Sequence, residues 1–125
     1  PADDDPSVVA GSDVVLITCK TTGLDAMCRQ LVEYAPANAL LVTLQNGVQA
    51  PDIVARWFPD HGIVAGSAFI GVRIEAPGYV VHSAAGRLRM GLWQRGGDED
   101  VETIFERLLT CFRQAGVDAR RVADV

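Results

Sequence analysis

The stretch Leu40-Leu41-Val42-Thr43-Leu44-Gln45-Asn46-Gly47 limits the possible folds more than any other part of the chain. An unbroken apolar run ends abruptly in an amide-rich corner. Such a run suits a parallel strand buried on both faces, where polar and apolar residues need not alternate. Asn46 then falls just past the carboxyl end of that strand, where open α/β sheets bind ligands. Val14-Val15-Leu16-Ile17-Thr18-Cys19-Lys20 repeats the pattern earlier in the chain and again ends in a polar group. Asn-Gly is also the dipeptide of a two-residue hairpin. Val48-Gln49-Ala50-Pro51-Asp52 reads more as a helix start than as a returning strand, which favours strand-to-helix.

Around these two strands the rest of the chain takes shape. Residues 1–12 read as a polar loop. Thr22-Gly23-Leu24-Asp25 has the outline of a capping box, and Leu24, Met27, Cys28, Leu31 and Val32 follow the spacing of one buried helical face, with Pro36 as its stop. The second strand is expected over 39–44, completing a βαβ unit with a right-handed crossover. Pro51 suits the first turn of the next helix, whose apolar side is Ile53, Val54, Trp57 and Phe58 and whose end is Pro59. A short third strand follows, Ile63-Val64-Ala65.

From Ser67 to Trp93 the helical period gives way to turn punctuation. Ala76-Pro77-Gly78-Tyr79 is a type II turn signal and Ala85-Gly86 a second, weaker turn. Between and after them lie strand-like segments over 79–83 and 87–93. In the latter, Leu88, Met90 and Leu92 alternate with Arg87, Arg89 and Gly91. The region reads as an antiparallel meander. Asp98-Glu99-Asp100 then places acids at a helix start, where the helix dipole favours them. Val101, Ile104, Phe105, Leu108, Leu109 and Phe112 form the most regular apolar face, Gly116 ends it, and 117–122 reads as a last strand. The expected class is therefore α/β: parallel strands with helices plus an antiparallel meander, in one domain spanning 1–125.

A formal net charge of −5 argues against non-specific binding to nucleic acid. Cys19, Cys28 and Cys111 give an odd count without C-x-x-C spacing, which points to free thiols rather than a disulfide frame or a zinc site. No apolar run has the length of a membrane span. A cytoplasmic protein is the expectation. The chain begins at Pro1 without a methionine and stops after a strand-like segment, as though both ends were cut from something longer; such truncation would leave sheet edges and apolar faces open to self-association.

The glycine-rich dinucleotide fingerprint, the Walker loop, the serine elbow and the zinc-protease motif are all missing from the sequence. Two positions nevertheless stand out. Lys20 can offer its ammonium to a ribose, phosphate or carboxylate, though a solubilising lysine at a strand edge is the blander reading. Asn46 can donate and accept hydrogen bonds, though Asn before Gly also suits a turn. Their recurrence at the ends of successive parallel strands is what argues for a shared crevice. His82, in a strand and without an acid placed to orient it, reads as a packing or surface residue. Cys19 should be buried and inert, and Trp57 and Phe58 core.

The ordered set Val15-Leu16-Ile17-Thr18-Cys19-Lys20, Leu44-Gln45-Asn46-Gly47, Gly66-Ser67-Ala68-Phe69-Ile70-Gly71-Val72, Pro77-Gly78-Tyr79-Val80-Val81-His82 and Gly86-Arg87-Leu88-Arg89-Met90-Gly91 resembles the ketopantoate reductase (2-dehydropantoate 2-reductase) family. The resemblance runs from about Asp13 to the end. It implies the second half of a Rossmann-like NAD(P)-binding domain and NADPH-dependent reduction of a 2-oxo acid on the route to pantothenate. By the same resemblance, Lys20 would lie near the nicotinamide ribose and substrate, Asn46 would contact both cofactor and substrate, and the Val72 backbone would border the nicotinamide. Gly47 and Gly71 would let backbone approach the ligand. The chain departs from the family at Gly23, where members often carry glutamine. It also lacks the glycine loop and the helical domain that supplies the lysine proton donor, so no complete catalytic set is expected. The alternatives are a non-catalytic α/β ligand- or partner-binding module and a reductase of another 2-oxo acid.

Overall fold

The computed structural model describes residues 4–97 and 100–123. Five strands, β1 (Val14–Ile17), β2 (Leu40–Thr43), β3 (Ile63–Ala76), β4 (Tyr79–Gln94) and β5 (Asp118–Arg121), form one sheet in that spatial order. The pairs β1–β2, β2–β3 and β4–β5 are parallel, and β3–β4 is antiparallel. Helices α1 (Thr21–Leu31), α2 (Ala50–Trp57) and α3 (Val101–Gln114) complete the α/β architecture expected from the sequence.

The helices divide between the two sheet faces, which explains the strand patterns. On one face Leu24, Cys28 and Leu31 of α1 and Val54 of α2 pack over Val15, Ile17, Leu41 and Ile63. On the other, Val101, Phe105 and Leu109 of α3 pack against Leu40, Val42, Val64 and Met90. Thus β2 is buried on both faces along its whole length, as its continuous apolar run requires. The analogous run in β1 is buried on one face only: Leu16 is exposed, beyond the cover that α3 gives. In α1, Met27 and Val32 of the expected apolar face are likewise exposed. That helix ends at Leu31, short of Pro36, and it starts at Thr21 with Lys20 as its N-cap and no side-chain capping bond, so the capping box expected at Thr22 is not formed.

Three other expectations change. Part of the opening loop is a short 3-10 helix, Pro6–Gly11, capped where the Ser7 N–H donates to the Asp5 carboxylate at 2.9 Å. The third strand does not stop at Ala65, and the expected meander is one long β3–β4 hairpin turning at Pro77-Gly78. Ala85-Gly86 is a bulge inside β4 rather than a turn. Phe69 pairs with Arg87 and Ile70 with Ala85, leaving Gly86 as the extra residue; Ala85 at φ 60° and Gly86 at φ 121° carry the backbone through it. The turn residues that punctuate a meander are the same ones that kink a continuous strand. The α3 face is as expected, with Ile104, Leu108 and Phe112 flanking its fully buried residues. The acidic start at Asp98 and Glu99 lies outside the described residues.

Candidate active-site crevice

Lys20 and Asn46 occupy equivalent places: each stands three residues beyond the last residue of its strand, Ile17 or Thr43, and leads towards the following helix. Because β1 and β2 are adjacent and parallel, the structure brings the two corners to the same end of the sheet. Both residues are exposed there. Lys20 combines the extended backbone of an N-cap, at φ −64° and ψ 144°, with a carbonyl that accepts from the Gly23 N–H at 2.9 Å. Its backbone is therefore fixed while its ammonium faces solvent. The Asn46 amide, without a hydrogen-bond partner among the described residues, is of complementary character, able to donate to one ligand oxygen while accepting from another group.

A cavity of about 300 Å³ adjoins the second corner. Gln45, Gly47, Ser67, Arg89 and Trp93 contribute to its lining. Its floor is tight at Gly66, where a Cβ would lie 2.8 Å from Leu44 Cδ2 and 2.9 Å from Met90 Cγ. The glycine lets β3 pass the end of β2 and continue as the wall of the crevice. Arg89 is braced rather than free, donating to the Asp118 carbonyl at 3.1 Å and its carboxylate at 3.3 Å. Arg120 chiefly, with Arg89, holds the Asp118 carboxyl below its usual range.

Gln45 is the residue that sequence reasoning missed. It is 8% exposed, and its Nε2 donates to the Cys19 carbonyl at 3.1 Å. Its Oε1 is buried without a hydrogen-bond partner among the described residues. A buried acceptor left in that state costs roughly 1–3 kcal/mol. The available signal was the period of two: Thr43 and Gln45 share a side of the strand, and Thr43 is fully buried.

Other candidates fall elsewhere. Val72 pairs with His82 on the outer half of the hairpin. It is seven residues along β3 from Ala65, the partner of Thr43, or on the order of 20 Å at ~3.3 Å per residue. His82 is exposed, with Nε2 3.1 Å from the Ala84 carbonyl, a local contact. Cys19 is only half-buried, because it lies past the strand end; Cys28 is the sealed thiol, its pKa pushed up to about 11, chiefly by burial. Phe58 is core as expected, whereas Trp57 is half-buried, donating to Asp25 Oδ1 at 2.9 Å under the Arg29 guanidinium. No cluster of metal-ligating side chains occurs among the described residues, and no helix there is long and apolar enough to cross a membrane.

Comparison with known proteins supplies what geometry leaves open. The family model described as ketopantoate reductase PanE/ApbA matches residues 1–95. The chain belongs to the ketopantoate reductase family. A 2-dehydropantoate 2-reductase of Halobacterium salinarum is 29% identical over 100 residues, covering 80% of this chain and 33% of the relative. The crystal structure of a PanE/ApbA family ketopantoate reductase from Ralstonia eutropha superposes with a TM-score of 0.81 at 26% identity, over 97% of this chain and 37% of the other. The ternary structure of D-mandelate dehydrogenase with NADH and anilino(oxo)acetate has the same fold, with a TM-score of 0.71 at 23% identity, over 94% of this chain and 37% of that one. The chain thus spans about a third of the length of these ketopantoate reductases. Membership places the chain in a family of oxidoreductases, and its fold is Rossmann-like.

Proposed function

We propose that this chain forms the nicotinamide-proximal part of an NADPH-dependent 2-dehydropantoate 2-reductase. The observation that carries the reading is the pairing of Lys20 and Asn46 at equivalent corners of adjacent parallel strands in a chain of this family. Reduced nicotinamide, held beside Lys20 and Asn46 when bound, would supply the hydride for the C2 carbonyl carbon of the acid. The Asn46 amide orients a substrate oxygen without placing a net charge beside the transferring hydride. The Lys20 ammonium pairs with the ribose or the acid, whereas Val72, far out on the β3–β4 hairpin, stands away from this corner. Lys20 and Asn46 suit the nicotinamide end of the cofactor. They do not suit its pyrophosphate end, because no G-x-G-x-x-G precedes any described helix. The proton that completes the hydroxyl, and the choice of NADP over NAD, belong to groups outside this set. By itself the chain is expected to be inactive.

The test is direct. The full-length product of the reading frame that carries this chain, a cytoplasmic enzyme on this reading, is expected to consume NADPH when given 2-dehydropantoate. Absence of consumption with an otherwise folded protein would remove the assignment. The shared fold with a dehydrogenase that was solved with NADH and an oxo acid favours one second reading, a reductase of another 2-oxo acid. Parallel assays with NADH and with other branched or aromatic 2-oxo acids separate the two by their kcat/KM ratios.

The same proposal extends to assembly. The outer half of the β3–β4 hairpin exposes Phe69, Ile70, Val72, Ile74, Tyr79 and Val80, with Ile74 at 76%. A two-stranded ribbon bearing that much apolar surface is a poor match for water. Alone, the chain is expected to self-associate in light scattering, and Phe69→Lys with Ile74→Lys to restore the monomer. A monomeric parent chain at high concentration would contradict this.

A further inference from the structure

Rungs of the parallel ladder between β1 and β2 occur every second residue. The Leu40 N–H donates to the Asp13 carbonyl at 2.9 Å, and the Leu44 N–H to the Ile17 carbonyl at 3.3 Å. In that register the next rung would join the Asn46 N–H to the Cys19 carbonyl. The Cys19 carbonyl is instead taken by a side chain, the Gln45 amide, at 3.1 Å. The backbone is thereby released from the ladder at Asn46 and turns away through Gly47 at φ 111°. One bond thus ties the residue before Lys20 to the residue before Asn46.

We propose that Gln45 is a positioning residue, a side-chain rung that ends the ladder and fixes the separation and direction of Lys20 and Asn46. Its buried, unpartnered Oε1 strengthens the case. A methionine or leucine would fill similar space without an orphaned acceptor, but neither could donate to Cys19. The amide keeps its donor at the expense of its acceptor. The catalytic meaning of this rung rests on the ligand roles given above to Lys20 and Asn46; the rung itself does not.

Two measurements separate those levels. In the chain with Cys111→Ser, Cys19 is the accessible thiol, because Cys28 is buried and its pKa is raised. Gln45→Met should speed the labelling of Cys19 by a thiol-disulfide reagent about fivefold or more, by freeing the end of β1 to open. The melting temperature should stay within about 3 °C, since loss of the rung and relief of the orphan offset each other. Gln45→Leu, which cannot donate either, should also accelerate labelling and serves if the methionine variant fails to fold. In the full-length enzyme, Gln45→Met should lower kcat by roughly 10- to 100-fold, the loss expected for a misplaced substrate-orienting group. Unchanged labelling in both variants would overturn the rung. Faster labelling with undiminished kcat would overturn its positioning role. If the parent enzyme reduced no 2-oxo acid, the functional reading would fall, and the labelling result alone would decide the rung.

Discussion

Phe105→Ala is expected to destabilise the chain by about 3–5 kcal/mol, the range for removing a buried aromatic ring from a core that cannot collapse around the space. Phe105 is fully buried at the centre of α3 and belongs to the cluster formed with Leu40, Val42, Val64 and Met90. Its loss would therefore be felt in β2, the strand that leads to the Asn46 corner. The Arg121 guanidinium lies 5.2 Å from the ring centroid and is itself held by Glu102 and Glu106, each at 2.8 Å. The same ring thus supports the junction of α3 with β5. Urea unfolding followed by circular dichroism measures the effect. A change below about 1 kcal/mol would mean that α3 is not the lid of that face. Arg121→Ala supplies the contrast: exposed pairs of this kind contribute little, typically 0–1 kcal/mol.

Asn46→Ala is the largest functional effect expected. In the full-length reductase kcat/KM should fall by about 10²–10³, as when one donor to a reacting oxygen is removed. Stability should change by no more than about 0.5 kcal/mol, because the side chain is exposed. The division of the loss is informative. A fall in kcat indicates contact with the transition state, whereas a raised KM alone indicates binding common to both states. Full retained turnover would show that the corner is a turn with no chemical role.

Much of this arrangement can be read from residue order alone, because the decisive signals are local. The apolar run of β2, the Pro51 start of α2 and the six-residue face of α3 each depend on neighbours within two helical turns. What could not be read depends on partners distant in sequence. Whether Ala85-Gly86 turns the chain or bulges a strand depends on what lies opposite, here Phe69 and Ile70. Which thiol is sealed depends on where β1 ends and how α1 lies over it, so Cys28, not Cys19, is the inert one. At the crevice, Lys20 and Asn46 announce themselves as polar ends of apolar strands. Gln45 does not, since its role requires the Cys19 carbonyl, 26 positions away.

The spatial order of the strands is also their order along the chain. Each strand pairs with its immediate predecessor, so no contact in the sheet has to wait for a segment made much later. Folding can then follow synthesis, with β1, α1 and β2 docking before the hairpin closes. When the complete chain refolds from denaturant the order reverses: the hairpin needs only its short turn at Pro77-Gly78, so it should zip on the microsecond scale typical of hairpins, leaving closure of the βαβ unit as the slower event. Pulse-labelling hydrogen exchange should accordingly protect 87–92 and their β3 partners before 40–43; the reverse order would show that the parallel pair nucleates the fold. During synthesis, a protein built this way defines its ligand-facing corners before its broad apolar ribbon is added.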